Sequence, residues 1–175
     1  MGKLSEKQIK QCIDNLIILV DSRERDLPNH VTKAFDEYGV NWEVVKLDSG
    51  DYSAILPKDE EMGVPEIDLR NEICIERKMS CDEIIGNLTR NKERFHREFG
   101  RTNADIPILI EDDFSNACRG NYKSQVTPKQ FLGALFSFCD KYGTFFYFMK
   151  DKELSAIWIY DIFKYRIRNK LKEIE

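Results

Sequence analysis

The chain has 175 residues, of which 42% are hydrophobic and 33% charged, and a net charge of −4. This length fits one domain with a buried core, and this apolar content is too high for a disordered chain. No apolar run approaches membrane-spanning length, so no membrane association is expected. The five cysteines form no C-x-x-C pair. They predict neither a disulfide framework nor a zinc site, and they favour an intracellular location, cytoplasmic or, in a eukaryote, nuclear.

The charges are unevenly distributed. Acids concentrate in residues 59–72, and bases concentrate in residues 77–101 and 164–172. A net negative charge argues mildly against a nucleic-acid partner only when it is averaged over the chain. The local excess of bases is compatible with DNA binding, and the carboxylates that a metal site needs would themselves lower the net charge.

Hydrophobic periodicity predicts alternating strands and helices. The predicted strands are 16–20, 42–47, 51–56, 72–77, 107–110 and 144–149. The predicted helices are 5–14, 28–38, a long helix that begins after Ser80, 127–142 and 151–175. The acidic segment 57–65 is predicted to be a hairpin loop, and the polar segment 117–125 a mobile loop. This order indicates an α/β fold with a mixed sheet in a single domain of residues 1–175, whose core covers about 16–149 between terminal helices at 1–15 and 151–175.

Two predicted helices carry start signals. Ser80 and Glu83 fit a capping box, in which each side chain accepts a hydrogen bond from the other residue's backbone N–H group. Thr127 is a predicted N-cap followed by Pro128 at the first helical position. Gly143 is then the predicted stop signal of that helix.

An acid-x-lysine triplet, Glu76-Arg77-Lys78, lies at the end of a predicted strand and is the only such triplet in the chain. Side chains alternate along a strand, so Glu76 and Lys78 are predicted to point to the same side. A carboxylate there can hold a divalent metal ion while the ammonium group lies beside an attacking water. The alternative is a charged edge strand that discourages aggregation. The apolar residues before the triplet favour the functional interpretation.

Two further acidic motifs lie near predicted strand ends. Asp21, Arg23 and Glu24 follow the first strand, and Asp51 follows Gly50. Open α/β sheets bind ligands at strand ends, which favours a site over a solvated ion pair for the first motif. For Asp51, the local sequence supports a metal ligand and a plain turn residue equally.

The helix predicted after Ser80 has two contrasting faces. At about 100° per residue its apolar residues share one narrow arc, and four arginines share a nearly opposite arc. The apolar arc contains Ile84, Leu88, Phe95 and Phe99, and the arginine arc contains Arg90, Arg94, Arg97 and Arg101. Guanidinium groups bind phosphate through two hydrogen bonds, so this arc indicates phosphate recognition. The alternative is a solvated face that is supported by ion pairs such as Glu93 with Arg97.

The motifs occur in the order found in a known family. They are V-D-S-R-E at 20–24, G-D-Y at 50–52, I-E-R-K at 75–78 and the following Asp82. Together they resemble the nuclease domain of the XPF-type structure-specific endonucleases, members of the restriction-endonuclease-like, PD-(D/E)xK superfamily. The segment 88–99 is similar to the next helix of compact bacterial and phage-type members. The resemblance covers about residues 16–149.

This resemblance implies a restriction-endonuclease-like fold, with a mixed central sheet flanked by helices. It also implies a Mg²⁺- or Mn²⁺-dependent endonuclease that acts in DNA repair or recombination and hydrolyses branched DNA or junctions between duplex and single strand. Asp51 and Glu76 match metal ligands, Lys78 matches the catalytic lysine, and Asp82 and Arg90 match flanking positions.

The motifs together give a set of predicted site residues. The predicted metal ligands are Asp51, Glu76 and Asp21, and the predicted catalytic residues are Lys78, Asp51, Glu76, Asp21 and Glu24. The predicted DNA contacts are Arg23, Arg77, Arg90, Arg94 and Arg97.

Three questions stay open at this point. Larger members of the family carry a tandem helix-hairpin-helix domain, for which this sequence has no room, so substrate preference and partner use are undetermined. Larger members also pair through their nuclease domains, which leaves a homodimer or a heterodimer open. The chief alternative function is a non-catalytic DNA-binding partner subunit, although such subunits have lost acidic motif residues that are present here. A sequence-specific restriction enzyme on the same fold is a weaker alternative.

Overall fold

The computed structural model describes residues 3–23 and 29–174. The strands are β1 (Ile17–Asp21), β2 (Asn41–Val45), β3 (Tyr52–Leu56), β4 (Ile67–Asp68), β5 (Glu76–Lys78), β6 (Ile108–Ile110) and β7 (Phe146–Phe148). The helices are α1 (Glu6–Ile13), α2 (Asn29–Glu37), α3 (Cys81–Leu88), α4 (Lys92–Gly100), α5 (Phe114–Arg119), α6 (Pro128–Tyr142) and α7 (Ser155–Glu173), with a short 3-10 helix at Lys152–Leu154. The predicted α/β class is therefore confirmed.

The chain divides into two compact units, which are described separately below. The first unit comprises residues 1–70 and 156–175, and the second comprises residues 71–155. The single domain that the sequence indicates stays a prediction.

The first unit is built on a mixed sheet in the order β2-β1-β3-β4. β1 runs parallel to β2 and antiparallel to β3, and β3 and β4 form an antiparallel pair. The predicted acidic hairpin loop thus connects β3 to β4. Ile18, Leu19 and Val20 are all buried, as expected for a central strand whose two faces are both covered. Asp21 and the residues after it therefore leave the sheet from a rigid, buried strand.

The second unit is built on three parallel strands in the order β5-β6-β7. The central strand β6 is fully buried along its whole length. Aromatic side chains from the helices pack against one another beside this sheet. For example, Phe95 of α4 stacks on Phe138 of α6 with ring centroids 4.6 Å apart. Because parallel strands end at the same edge, the residues after β5 and β6 lie side by side at the carboxyl edge of this sheet.

The prediction of one long helix after Ser80 is wrong, because the chain forms two helices, α3 and α4, with a break between them. Thr89 has φ −119° and ψ −83°, and its hydroxyl donates a hydrogen bond to the Ile85 carbonyl. The Asn91 N–H then reaches back to the carbonyl of Gly86. Thr and Asn side chains compete with the helical backbone for hydrogen bonds, which accounts for a break at this sequence.

Two other predictions need correction. The segment predicted as a mobile loop at 117–125 begins inside α5, which Asp113 caps at its start and Gly120 ends in the left-handed conformation with φ 75°. The predicted capping box of Ser80 and Glu83 is only half formed. The Ser80 hydroxyl accepts the Glu83 N–H, whereas the Glu83 carboxylate accepts the N–H of Met79. The capping box at Thr127 is complete.

Among the described residues, no helix combines the length and the hydrophobicity that crossing a bilayer requires.

Candidate active site

The predicted pairing of Glu76 and Lys78 on one side of a strand is confirmed in the second unit. Both residues belong to β5, and the Lys78 Nζ atom donates a hydrogen bond to Glu76 Oε1 at 2.6 Å. Only 12% of the Glu76 side chain and 8% of the Lys78 side chain are exposed. A carboxylate and an ammonium group are therefore held together in a largely dry environment, where electrostatic interactions are stronger than in water.

Two other groups surround the Lys78 ammonium. Glu83 of α3 places its Oε1 atom 3.7 Å from Nζ, and the ring centroid of Phe95 of α4 lies 5.4 Å from it. Phe95 is itself buried, so its position is set by the aromatic core. An aromatic face attracts a cation, and a second carboxylate helps to balance its charge. The direction of the lysine side chain is thus determined by three different elements.

Arg77 lies between the two site residues and forms a separate buried ion pair. Its Nη2 atom is 2.5 Å from Oε2 of Glu111, and the two side chains are 6% and 2% exposed. Because side chains alternate along β5, Arg77 points away from the side that carries Glu76 and Lys78. The described contact of Arg77 is structural, and its predicted contact with DNA stays a prediction.

Sequence reasoning missed the role of the three acids that follow β6. Glu111 binds Arg77, while Asp112 accepts the N–H of Cys81 at 2.8 Å and so caps the start of α3. Asp113 caps α5 and binds Lys150, whose hydrogen bond lowers the pKa of Asp113 to about 2. The available signal was their position, directly after a buried parallel strand, where ligands and caps tend to lie.

Asp112 and Cys81 affect each other's ionisation. Burial raises the pKa of the Cys81 thiol far above its usual value, and the neighbouring Asp112 raises it further. Burial acts to raise the pKa of Asp112 as well, but hydrogen bonds from Cys81, Asn116 and the Asp113 backbone outweigh it and lower that pKa. Cys81 is therefore an un-ionised, structural thiol at neutral pH, and Asp112 is an ionised cap.

The first unit holds the other predicted acids. Asp21 is 3% exposed, and its two carboxylate oxygens accept the Leu47 N–H at 3.0 Å and Arg23 Nε at 2.7 Å. Arg23 also donates to the Leu47 carbonyl. The backbone of Asp21 donates to the Asp51 carbonyl at 2.8 Å, which places these two acids on adjacent strand ends of one sheet. Glu24 lies outside the described residues.

The predicted arginine face is exposed but is not continuous. Arg90 lies in the break between α3 and α4, whereas Arg94 and Arg97 belong to α4. Arg94 pairs with Glu98 of the next turn, with 78% of the Arg94 side chain exposed. Arg94, Arg97 and Arg101 line a shallow depression on α4 that does not include Arg90. The arginines therefore form two surfaces instead of the single predicted face.

The predicted metal ligands lie in both units of the chain. In the ranges that the structure describes, no group of three or more His, Cys, Asp or Glu side chains is gathered as a metal site. Mg²⁺ is commonly bound by one or two carboxylates, with waters and substrate phosphates completing its shell. Glu76 in the second unit and Asp51 in the first each supply hard oxygen donors of the kind that Mg²⁺ or Mn²⁺ prefers.

Comparison with known proteins identifies the family. A sequence model of the ERCC4 domain matches residues 20–162, so the chain belongs to the ERCC4 domain family. This result confirms the XPF-type nuclease family that the sequence motifs indicate. No curated protein sequence shows a significant match to the chain.

Solved structures of one archaeal protein share the fold. XPF from Aeropyrum pernix has a TM-score of 0.61 and 18% identity over 86% of this chain and 61% of that one. XPF from the same organism in complex with DNA has a TM-score of 0.61 and 19% identity over 88% of this chain and 65% of that one. The present chain thus spans less than two thirds of the length of these relatives. At this identity the likeness establishes the fold, which confirms the predicted α/β architecture of a sheet flanked by helices, as in the XPF nuclease fold.

The buried pair of Arg77 and Glu111 gives a prediction about stability. We expect Glu111→Gln to lower the free energy of unfolding by about 3 kcal/mol or more, because it leaves a buried guanidinium without its carboxylate charge. Urea unfolding measures the loss. Glu61→Gln, which removes the same charge from an exposed loop position, is the control and should change stability by less than about 0.5 kcal/mol. Equal, small effects of the two substitutions would contradict a structural role for the ion pair.

Proposed function

We propose that this chain is a metal-dependent DNA endonuclease that hydrolyses phosphodiester bonds in branched DNA or at junctions between duplex and single strand. The observation that carries this proposal is the buried contact of 2.6 Å between Lys78 Nζ and Glu76 Oε1 within β5. Membership of the ERCC4 domain family supports it, as does the match to an XPF structure described as a complex with DNA. An intracellular site of action and a dimer through the nuclease domain are part of the same proposal.

Glu76 of the second unit would hold a metal ion, Mg²⁺ or Mn²⁺, and Asp51 of the first unit is likewise proposed as a metal ligand. When bound, the ion lowers the pKa of a coordinated water and stabilises negative charge on the phosphoryl oxygens. Glu76 is suited to this role because it belongs to a short, buried strand and cannot move far from it. Asp51 lies directly before β3, after Gly50 in the left-handed conformation with φ 66°, a turn that lets the backbone change direction sharply.

Lys78 would act on the nucleophile and on the developing charge. Its ammonium group would orient an attacking water and offset negative charge on the phosphate in the transition state, whereas only the neutral amine could take part in removing the water's proton. Contacts with Glu76, Glu83 and Phe95 favour this role, because they hold the ammonium group in place before the substrate arrives. A group that is already positioned has little reorganisation to undergo during the reaction.

Asp21 fits an ordering role better than a second metal site. Both of its oxygens already accept hydrogen bonds, from Leu47 and Arg23, which fix the backbone near the end of β1. Groups that position metal ligands without touching the metal commonly affect activity strongly. A second metal ion held by Asp21 and Glu24 remains the alternative within this proposal.

The second candidate is a non-catalytic DNA-binding subunit. The same basic surfaces would serve it, since Arg23, Arg90, Arg94 and Arg97 are all exposed. The retained acids and lysine disfavour this function, because DNA binding alone does not require a carboxylate and an ammonium group held together on one side of a buried strand. Incubation of the protein with forked and plain duplex DNA in Mg²⁺ separates the two candidates directly.

The first functional prediction concerns the metal ligands. Asp51→Asn and Glu76→Gln should each reduce cleavage of a forked DNA by more than the roughly 10- to 100-fold that loss of an outer-shell partner costs. Affinity for the same DNA in EDTA should change little, and EDTA should abolish cleavage by the unmodified protein. Glu61→Gln removes the same charge elsewhere and serves as the control. Cleavage close to the original rate by either variant in Mg²⁺ would refute its role as a ligand.

The second functional prediction concerns Lys78. Lys78→Met keeps most of the apolar stem and removes the charge, so it should slow the chemical step by about a hundredfold or more. Binding should weaken much less, because the charge matters most in the transition state. Single-turnover kinetics at saturating enzyme measure the chemical step. A normal single-turnover rate with weaker binding would make Lys78 a phosphate contact.

The third functional prediction concerns the arginines of α4. If Arg94 and Arg97 contact phosphates, Arg94→Gln and Arg97→Gln should each weaken binding to forked and plain duplex DNA similarly. Each should also reduce the slope of log affinity against log salt by about 0.7 to 0.9. Lys33→Gln on α2 removes the same charge from a side chain that is 76% exposed and is the control. If the slope of log affinity against log salt in both variants equals that of the control, these arginines do not contact phosphates and form only a solvated helix face.

A further inference from the structure

A recess in the second unit is lined by residues other than Glu76 and Lys78. Its volume is about 670 Å³, within the range of pockets that hold small organic ligands. One wall is the surface of α3 from Asp82 onward, and the other wall is the segment 123–126 that leads into α6. Ile85, Gly86 and Val126 contribute the apolar part of its lining.

Hydrogen bonds fix both walls of the recess. The Asp82 carboxylate accepts the N–H groups of Lys123 at 3.0 Å and Ser124 at 2.8 Å, which ties the segment 123–126 to the first turn of α3. The Tyr122 hydroxyl donates to the Val126 carbonyl, and the Tyr122 ring packs edge-on against Phe131 of α6. The segment is therefore held at both ends, and the recess is a formed feature of the surface.

The recess also carries positive charge at its rim. Arg90 and Lys123 both line it, and both residues are exposed. Asp82 is the acid that faces it, and its carboxylate oxygens already accept two backbone N–H groups. Arg90 is four residues after Gly86, and the break at Thr89 separates it from the arginines of α4. This placement gives a phosphate group two cations to bind.

We propose that this recess binds one unpaired nucleotide of a single-stranded DNA arm. Arg90 and Lys123 would bind the flanking phosphates, the apolar lining would cover the sugar or the base, and the amide of Gln125 would reach the base edge. A nucleotide can enter such a recess only when it is unstacked, which single-stranded DNA permits and intact duplex resists. The proposal rests on the proposed function, because it assigns the single-stranded part of the same substrate to a surface of its own.

Gly86 offers a direct test of the recess. A Cβ atom built on Gly86 has one close neighbour among the described residues, Arg90 Nη2 at 3.4 Å, which is the movable end of a long side chain. Gly86 is buried on the side of α3 that lines the recess, so Gly86→Leu should place its side chain in the recess and displace the guanidinium. Leucine also has a higher helix propensity than glycine, so the melting temperature should not fall.

A matched control is available on another helix of the same unit. Gly133 lies in the middle of α6, is exposed, and has nothing within 4 Å of a built Cβ among the described residues. Gly133→Leu makes the same chemical change away from the recess. The measurement is the affinity of each variant, in EDTA, for a fluorescent ten-nucleotide oligothymidine and for a blunt duplex.

The expected result is selective. Gly86→Leu should weaken binding of the oligothymidine by about tenfold or more, the scale of losing the contacts to one base, and should leave duplex binding within about twofold. Gly133→Leu should bind both as the original protein does. Lys123→Gln, whose exposed side chain is dispensable for folding, should also weaken oligothymidine binding more than duplex binding, and it decides the test if Gly86→Leu does not fold.

Three results would overturn the proposal. They are no measurable binding of oligothymidine by the original protein, unchanged binding by the variant that fills the recess, and an equal loss for single strand and duplex. The proposed function is tested separately, by Mg²⁺-dependent cleavage of a fork. If the original protein cuts forks and Gly86→Leu binds oligothymidine as well as the original does, the proposed nuclease function stands and the proposed nucleotide site is refuted. If Gly86→Leu shows the selective loss of binding but the original protein does not cut DNA, the nucleotide site stands and the proposed nuclease function is refuted.

Discussion

The buried ion pair between Arg77 and Glu111 is the interaction on which the charged end of β5 depends. It joins adjacent parallel strands at the edge where both end, and the Glu111 N–H also donates to the Lys78 carbonyl at 2.8 Å. A buried pair of this kind is costly to desolvate and adds little net stability, but removing one partner is strongly unfavourable. The pair therefore acts chiefly as a constraint, because β5 is held in the one register with β6 that keeps Arg77 matched with Glu111. The opposite side of β5 then presents Glu76 and Lys78 together.

Three consecutive charged residues are buried in this short strand, and each has a partner. Lys78 is balanced by Glu76 and Glu83, and Arg77 by Glu111. Carboxylates from β5, α3 and the end of β6 thus surround two cations, and the positions of all three elements are coupled through charge. A site built in this way keeps its charged groups in place before substrate arrives. These groups are desolvated when the chain folds, so that cost does not fall on the reaction.

Much of this arrangement could be predicted from the sequence, for physical reasons that differ from one feature to another. Strand alternation fixes the relative direction of Glu76 and Lys78, so their proximity followed from spacing alone. Local hydrogen bonding fixes the cap at Thr127 and the left-handed stop at Gly143, so both ends of α6 were also predictable. The pairing of Arg77 with Glu111 joins residues 34 positions apart. Spacing along one strand carries no information about a pairing between such distant residues. For the same reason the hydrogen bonds from the segment after Tyr122 to the Asp82 carboxylate could not be predicted.

The break between α3 and α4 explains why the predicted apolar face of the long helix was correct, whereas the predicted arginine face was not. Ile84, Leu88, Phe95 and Phe99 are all buried even though no single helix contains them, because α3 and α4 pack against the same aromatic core. Burial constrains where an apolar side chain lies on each helix separately, so the apolar pattern survives the break. Exposed arginines have no such constraint. Arg90 lies beside the segment 123–126, whereas Arg94 and Arg97 belong to α4, beyond the break at Thr89. A charge pattern drawn on an ideal helix therefore merges two surfaces that the backbone keeps apart, and those surfaces are free to contact different parts of one nucleic acid.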